Sequence, residues 1–275
     1  MRGTSGASLA AAQERFEPVL RSAGADAQAL GEQLFAVVSA LDESGPLRRS
    51  LADPSRTGDD KAALVARVLS GGTAGGFDER VVDLVTGLAR SRWSSDADLV
   101  DSLERLGLDA VLASAESRGV LETVEDELFR LTRALVGQRE ARQVLSDPST
   151  SPERRAALVD ALLAGKVDGV TQALARRATT TLRGRRFVAT LLWFGEVAAE
   201  RRKRLVASVV SGTVLTQAQQ SRLSALLESA YGRAVQLNVT VDPTVIGGLR
   251  IQVGADVVDS TVLSRLADAR RRLAG

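Results

Sequence analysis

Apolar and polar positions follow a helical period over most of this chain and a strand period only near its carboxy-terminal end. The helical stripes predict segments at about Leu9 to Arg21, Ala27 to Leu41, Pro46 to Leu51, Thr57 to Leu69, Asp78 to Arg92 and Asp96 to Ser117. A second series follows at about Glu122 to Val136, Arg139 to Leu145, Ser151 to Leu163 and Asp168 to Leu182. Asp53-Pro54 and Asp147-Pro148 interrupt the two series at matching points. Proline has no amide hydrogen for a helix interior and disfavours helix at the residue before it. Ser151-Pro152-Glu153 then restarts the second series, with Ser as cap and Pro in the first turn.

The two series are copies of one another. At an offset of 94 positions, Glu32-Gln33-Leu34-Phe35 falls on Asp126-Glu127-Leu128-Phe129, and Ala40-Leu41 on Ala134-Leu135. LADPSRTGDDKAALVARVL, residues 51 to 69, falls on LSDPSTSPERRAALVDALL, residues 145 to 163. The same offset lays Gly87 to Trp93 over Thr181 to Phe187, which makes Trp93 and Phe187 equivalent core aromatics. Two long copies predict a duplicated helical module rather than a solenoid of many short repeats. The helix Asp96 to Ser117 has no Gly/Ser/Pro-rich linker beside it, so it is expected to close the first bundle and open the second.

Beyond residue 204 the period changes. Leu205 to Ser211 reads as a strand, and Thr216 to Gln219 is a capping-box pattern that opens a helix with Leu223, Leu226, Leu227 and Ala230 on one face. Val235, Leu237, Val239 and Val241 alternate with polar residues as a half-buried strand. Asp242-Pro243 starts a turn in which Gly247-Gly248 supplies backbone angles that a β-carbon disfavours, and Leu249, Ile251 and Val253 resume the alternation. A short strand Val257 to Asp259 and a last helix striped by Val262, Leu266, Ala269 and Leu273 complete the pattern. The fold class expected is mainly α with a small α/β carboxy-terminal domain. Its parts are a first bundle over 1–117, a second over 96–204 sharing the helix 96–117, and a mixed sheet with two helices over 205–275.

Composition narrows the chemistry. Hydrophobic residues make up 44% of the 275, charged residues 25% and aromatics 3%, which suits helices packed through Ala and Leu. With no Cys and no His, the chain has no disulfide, thiol nucleophile, imidazole base or thiolate metal site, so neither catalysis nor a cofactor is expected. No apolar run reaches the ~18 residues of a membrane span, and the amino terminus lacks the apolar core of a secretory signal, so a soluble cytoplasmic protein is expected. SGGTAGGF, residues 70 to 77, has no Gly-Lys-Ser/Thr ending and no preceding strand, so it reads as an interhelical loop and not a phosphate cradle.

One charge asymmetry stands out. Lys plus Arg is 36 against 34 Asp plus Glu, yet residues 176 to 204 hold nine basic side chains against Glu196 and Glu200. Arg183, Arg185, Arg186, Arg201, Arg202, Lys203 and Arg204 are the core of this cluster. It reads as a solvated helix face, as a contact for an acidic protein surface, or as a phosphate-binding surface of a helical nucleic-acid-binding adaptor. Phe187, Trp193 and Phe194 lie in an apolar stretch that reads as core and do not interleave with exposed cations as single-strand binding requires.

Val241-Asp242-Pro243, Ile246-Gly247-Gly248-Leu249, the strand Ile251 to Gly254, and Val257-Val258-Asp259 before the last helix together resemble the signature of the delta subunit of the bacterial rotary ATP synthase. That family is the counterpart of the mitochondrial oligomycin-sensitivity-conferring protein. Asp242, Pro243, Gly247, Gly248, Gly254 and Asp259 carry the resemblance, which spans residues 205 to 273. Ser260 stands where the family usually has Gly, and serine there can cap a helix. The second helical copy plus the carboxy-terminal domain fills the usual pattern, so the first copy resembles the extra module of enlarged actinobacterial delta subunits. The resemblance implies a non-catalytic stator part at the cytoplasmic face of the plasma membrane, attached to the membrane only through its complex. Its helical region is expected to bind the amino-terminal helices of the alpha subunits, and its last domain the carboxy-terminal ends of the b-type peripheral stalk. Amphipathic helices laid in apolar grooves would supply the contacts.

Overall fold

The computed structural model describes residues 3–70, 76–203, 206–231, 235–245, 247–253 and 256–259. The chain divides into two units, Met1–Ala199 and Glu200–Gly275. The first is built from α1 (Thr4–Ala23), α2 (Ala27–Glu43), α3 (Gly45–Ala52), α4 (Gly58–Ser70), α5 (Glu79–Arg90), α6 (Asp96–Ser117), α7 (Leu121–Ala134), α8 (Arg139–Leu145), α9 (Pro152–Leu163), α10 (Gly169–Thr180) and α11 (Phe187–Lys203). The expected segments appear within a few residues of their predicted ends. The clear omission is α11, a full helix where the apolar stretch after Arg186 had been read only as core.

α6 is the axis of this unit. Every residue from Leu106 to Ala115 is buried, so the helix has no wet face over that stretch and must be covered from all sides. Leu99, Leu103, Leu106 and Ala110 join one hydrophobic core, with Phe16, Leu34, Val85 and Trp93. Leu108, Val111, Leu112 and Ala115 join a second, with Leu128, Leu174, Phe187 and Phe194. Small residues let α2 approach it closely. A β-carbon on Gly31 would lie 2.7 Å from the Gly107 carbonyl oxygen, and one on Gly107 would lie 2.7 Å from the Phe35 ring.

The copies reproduce each other in their polar joints as well as their apolar ones. Asp53 Oδ1 accepts hydrogen bonds from the Ser55 amide and hydroxyl, and Asp147 Oδ1 accepts the same pair from Ser149. The Asp78 amide donates to Gln33 Oε1 at 2.8 Å, and the Asp168 amide donates to the Glu127 carboxylate at 3.0 Å. Asp78 and Asp168 then cap α5 and α10 by accepting from the amides of Arg80 and Val170.

This pairing corrects one detail of the offset. Between the start of the fourth helix and that of the fifth the second copy is four residues shorter, three in the loop and one in the helix, so Asp78 matches Asp168, and Gly87 lies inside α5 while Thr181 lies past the end of α10. Trp93 and Phe187 are both buried core aromatics, at 8% and 1% exposure, but they are not equivalent positions. Trp93 precedes α6 and donates its indole N–H to the Leu88 carbonyl, whereas Phe187 opens α11. The closing helices match instead by burial. Val100, Leu103, Leu106, Gly107 and Ala110 of α6 recur as Leu191, Phe194, Val197, Ala198 and Arg201 of α11.

The paired turns carry a pH dependence. Hydrogen bonds from the Ser55 and Ser149 side chains, then from their amides, hold the Asp53 and Asp147 carboxyls below the ordinary 3.8. A depressed native pKa stabilises the fold fully above the unfolded pKa, and that contribution is lost as pH falls through the native one. The thermal midpoint of the helical unit is therefore expected to fall as pH drops below about 4. Asp53→Asn with Asp147→Asn should flatten that fall in scans from pH 6 to pH 2.5.

The second unit is the small α/β domain expected, with β1 (Val206–Ser211), α12 (Gln217–Tyr231), β2 (Gln236–Val241), β3 (Leu249–Val253) and β4 (Asp256–Asp259). The sheet order is β2-β1-β3-β4, with β1 parallel to β2 and antiparallel to β3, and β3 antiparallel to β4. A parallel β1–β2 pair needs a crossover, which α12 supplies. The capping box forms as read: the Thr216 amide donates to Gln219 Oε1 and the Gln219 amide to Thr216 Oγ1. The buried face of α12 differs from the expectation. Leu227 is buried with Leu223 and Tyr231 packed beside it, while Leu226 is 60% exposed and Ala230 is exposed. Spacing by four selects Leu223, Leu227 and Tyr231, and Leu226 falls off that stripe. The helix expected on Val262 to Leu273, with Ser260, Gly254, Ile246 and Arg204, lies outside the described residues.

Candidate interaction surfaces

The basic cluster separates into an inward and an outward part. Arg183, on the loop between α10 and α11 and 11% exposed at its side chain, reaches back to the first copy. It meets Asp42 of α2 at 2.9 Å, Asp101 of α6 at 3.0 Å and Glu104 of α6 at 2.6 Å. Arg185 meets the other oxygen of Glu104 at 2.5 Å, and its guanidinium lies 4.7 Å from the centre of the Trp193 ring. Glu104 is 1% exposed, so two guanidinium groups balance one carboxylate taken out of water. Burial pushes the Arg183 guanidinium down, but Glu104, Asp42 and Asp101 outweigh it and hold the pKa above the ordinary value.

Arg177 belongs to the same seam. Its guanidinium sits 4.4 Å above the Phe35 ring of α2, and burial, against the pull of Glu104, pushes its pKa down to about 10. It remains a cation at neutral pH, held by the ring face. Arg201 is also buried, at 1% exposure. Arg186 and Arg202 are exposed, Lys203 closes α11, and Arg204 lies outside the described residues. The expected seven-residue surface for an acidic partner or a phosphate backbone thus loses Arg183, Arg185 and Arg201 to the interior. For Arg183 and Arg185 the cause is Glu104, a buried acid on α6 just before its all-buried stretch, which sequence spacing did not single out. No local signal marks it, because Asp101 and Arg105 beside it give this part of α6 a polar, partly exposed side.

The residues of the carboxy-terminal signature build a turn. Asp242 Oδ1 accepts from the Thr244 amide and hydroxyl, the Val245 amide donates to the Asp242 carbonyl, and the Asp242 amide donates to the Ser211 carbonyl at the end of β1. These hydrogen bonds, chiefly from the Thr244 hydroxyl, hold the Asp242 carboxyl below the ordinary range. Pro243 follows it in the turn, and Gly247 and Gly248 take φ of 64° and 83°, the left-handed region anticipated for them. Asp259 ends β4 opposite Arg250 of β3. Gly212 was missed: a β-carbon there would lie 2.1 Å from the Val245 carbonyl oxygen, so the turn is seated directly on it.

An apolar cleft of about 170 Å³ opens between α2, α3, α4 and α5 of the first copy. Val37, Leu41, Leu47, Leu51, Val65 and Val68 line it. No cluster of metal-ligating side chains occurs among the described residues, and no helix among them is long and apolar enough to cross a membrane.

The family model described as ATP synthase delta (OSCP) subunit matches residues 109–273, which covers the second copy and the α/β unit. The chain is 55% identical to the ATP synthase subunit delta of Beutenbergia cavernae over 100% of both chains. It is 48% identical to that of Kineococcus radiotolerans over 99% of this chain and 98% of the relative. It is 43% identical to that of Streptomyces griseus over 100% of both. The first copy, which the family model leaves unmatched, is therefore shared by these relatives along their full length. With the family model over residues 109–273 and the full-length relatives in agreement, the chain belongs to the ATP synthase delta (OSCP) subunit family and is a structural peripheral-stalk component of that membrane-associated complex.

Proposed function

We propose that this chain joins the catalytic head of the ATP synthase to its stalk by two kinds of contact, at the cytoplasmic face of the plasma membrane. The helical unit receives amino-terminal helices of the alpha subunits, and the α/β unit receives the carboxy-terminal end of the b-type subunit. The chain performs no chemistry. It resists rotation, so that rotor torque is spent on nucleotide exchange in the head.

The observation that supports the head contact is the apolar cleft of the first copy. Its Leu47 and Val68 are the accessible part of a wall whose deeper residues, Val37, Leu41, Leu51 and Val65, are buried. A helix presenting apolar residues at spacings of three and four would cover that wall. The duplicated bundle also bears on the role. With α6 shared and Glu104 tied to Arg183 and Arg185, the two copies are expected to move as one body, as a stator requires.

A synthetic peptide of the alpha subunit's amino terminus is expected to bind the full-length chain, and Val68→Asp is expected to weaken it by about tenfold or more. Leu162→Asp, at the matching position of the second copy, should leave the affinity unchanged. Titration calorimetry reads both, and a Val68→Asp chain that binds as tightly as the parent would remove the cleft from the account.

A further inference from the structure

The loop that carries Arg183 holds a backbone conformation that its sequence does not favour. The Arg185 amide donates to the Leu182 carbonyl at 2.8 Å, which closes a turn with Arg183 and Gly184 at its centre. Arg183 has φ of 46° and Gly184 of 74°, so both central residues lie in the left-handed region. Turns of that form call for Gly, Asn or Asp at the first central position, because a β-carbon there crowds the backbone. An arginine in that place is disfavoured by roughly 5- to 30-fold against right-handed or extended alternatives. Among the described residues, no other non-glycine residue takes a positive φ.

The side chain is what holds the turn. Arg183 Nε meets Asp42 of α2, Nη2 meets Asp101 of α6, and Nη1 meets Glu104 of α6. With every nitrogen of its guanidinium engaged, the residue cannot relax its backbone without giving up those acids, so the strain is kept. The first copy has no such turn. Its joint between α5 and α6 is closed by the Trp93 indole on the Leu88 carbonyl, with no positive φ. The strained turn is therefore an addition at the seam where the second copy grips the first, and Arg186 alone separates it from α11. Asp42 and Asp101 are 30% and 47% exposed at their side chains, so water competes for two of the three acids. The clasp can thus open while both hydrophobic cores stay closed.

We propose that Arg183 is a strained latch between the two helical copies. Asp42, Asp101 and Glu104 hold its turn in the left-handed form, and when that clasp opens the turn relaxes and the corner between α10 and α11 lifts from α2 and α6. The corner recloses when the guanidinium regains its acids, so the helical unit has one seam that yields reversibly, short of unfolding. The latch is a property of this chain alone and stands whatever fills the cleft of the first copy.

Hydrogen exchange of the full-length chain, read by mass spectrometry, tests this. Asp42→Asn with Asp101→Asn removes the exposed part of the clasp and should speed exchange of residues 182–186 by about tenfold, with peptides from α1 and α9 at the parent rate. Adding Arg183→Gly to that chain should slow residues 182–186 again by about fivefold, because glycine takes a positive φ without strain. A clasp that only bridges the copies gives the opposite result, since Arg183→Gly removes its last contact. By the same reasoning Arg183→Ala alone should exchange faster than Arg183→Gly alone, by about fivefold. Exchange unchanged by the paired Asn substitutions overturns the proposal, as does a failure of Arg183→Gly to slow it. Faster exchange in α1 and α9 as well would show that the unit opens as a whole and not at a latch, and overturns it too.

Discussion

Glu104→Ala is expected to destabilise the helical unit by roughly 3–5 kcal/mol, the range for removing one partner from a buried charge group. The carboxylate is 1% exposed and accepts from Arg183 at 2.6 Å and Arg185 at 2.5 Å. Its loss leaves two guanidinium groups in place with no interior counter-charge, and Arg183 keeps only Asp42 and Asp101 at the rim. For a unit of this size each kcal/mol moves the melting point by roughly 2–4 °C, so scanning calorimetry should show a fall of roughly 6–20 °C. An exposed acid such as Glu122 provides the comparison, and its replacement by Ala should shift the midpoint by no more than about 0.5 kcal/mol. Removing the charges together as Glu104→Leu, Arg183→Met and Arg185→Met should recover part of the loss, because only Arg177, held over the Phe35 ring, then keeps a buried charge without its counter-charge. If the single and triple variants melt alike, the seam is held by packing and not by charge.

Gly212→Ala is expected to loosen the α/β unit while leaving the helical unit untouched. The added methyl would fall 2.1 Å from the Val245 carbonyl oxygen, a backbone atom that cannot rotate aside. Moving it disturbs the Asp242–Val245 hydrogen bond and the Asp242 contact to Ser211. Overpacking of this kind costs about 1–3 kcal/mol. Among the described residues the core of this unit rests on Val209, Leu227, Val235, Ile251 and Val253, so that loss is a large fraction of what holds it. Hydrogen exchange followed by mass spectrometry is the readout. Peptides from β1, β2 and β3 should exchange faster in the variant, and those from α6 and α10 at the parent rate. Unchanged protection of β1 and β2 would mean that the turn is not seated on Gly212.

The architecture was legible because its signals are local and repeated. Period, proline breaks and a long self-match located the helices, and α6 contributes side chains to two hydrophobic cores. The strand alternation, the capping box at Thr216 and the paired glycines at 247 and 248 were each tied to one backbone requirement, and each formed. What escaped the sequence was pairing at a distance. Glu104 is separated from Arg183 by most of the second copy, so the arginines stood out as a charge run while their counter-charge did not. Gly212 takes no unusual φ, and its constraint comes from a carbonyl that the turn after β2 brings to it. The mismatch of Trp93 with Phe187 has a similar origin, since the shorter loop before α10 resets the register and a fixed offset cannot follow it. The stripe on α12 failed at Leu226 because two adjacent leucines fit a helical face equally well until the sheet chooses one.

The residues singled out for an acidic partner illustrate the same limit. Local excess of charge locates arginines, but only the fold decides whether they face inward. Arg183 and Arg185 brace the two copies against one another, and the apolar position Val68, which no charge count marks, carries the proposed head contact.

The link between head and stalk is tested by purifying this chain from native membranes under mild detergent and identifying by mass spectrometry the proteins that accompany it. Alpha and b-type subunits of the ATP synthase are expected to come with it in fixed proportion, with the b-type subunit selectively depleted in Gly212→Ala. Recovery of the chain without either subunit, or with nucleic acid in their place, would contradict that link.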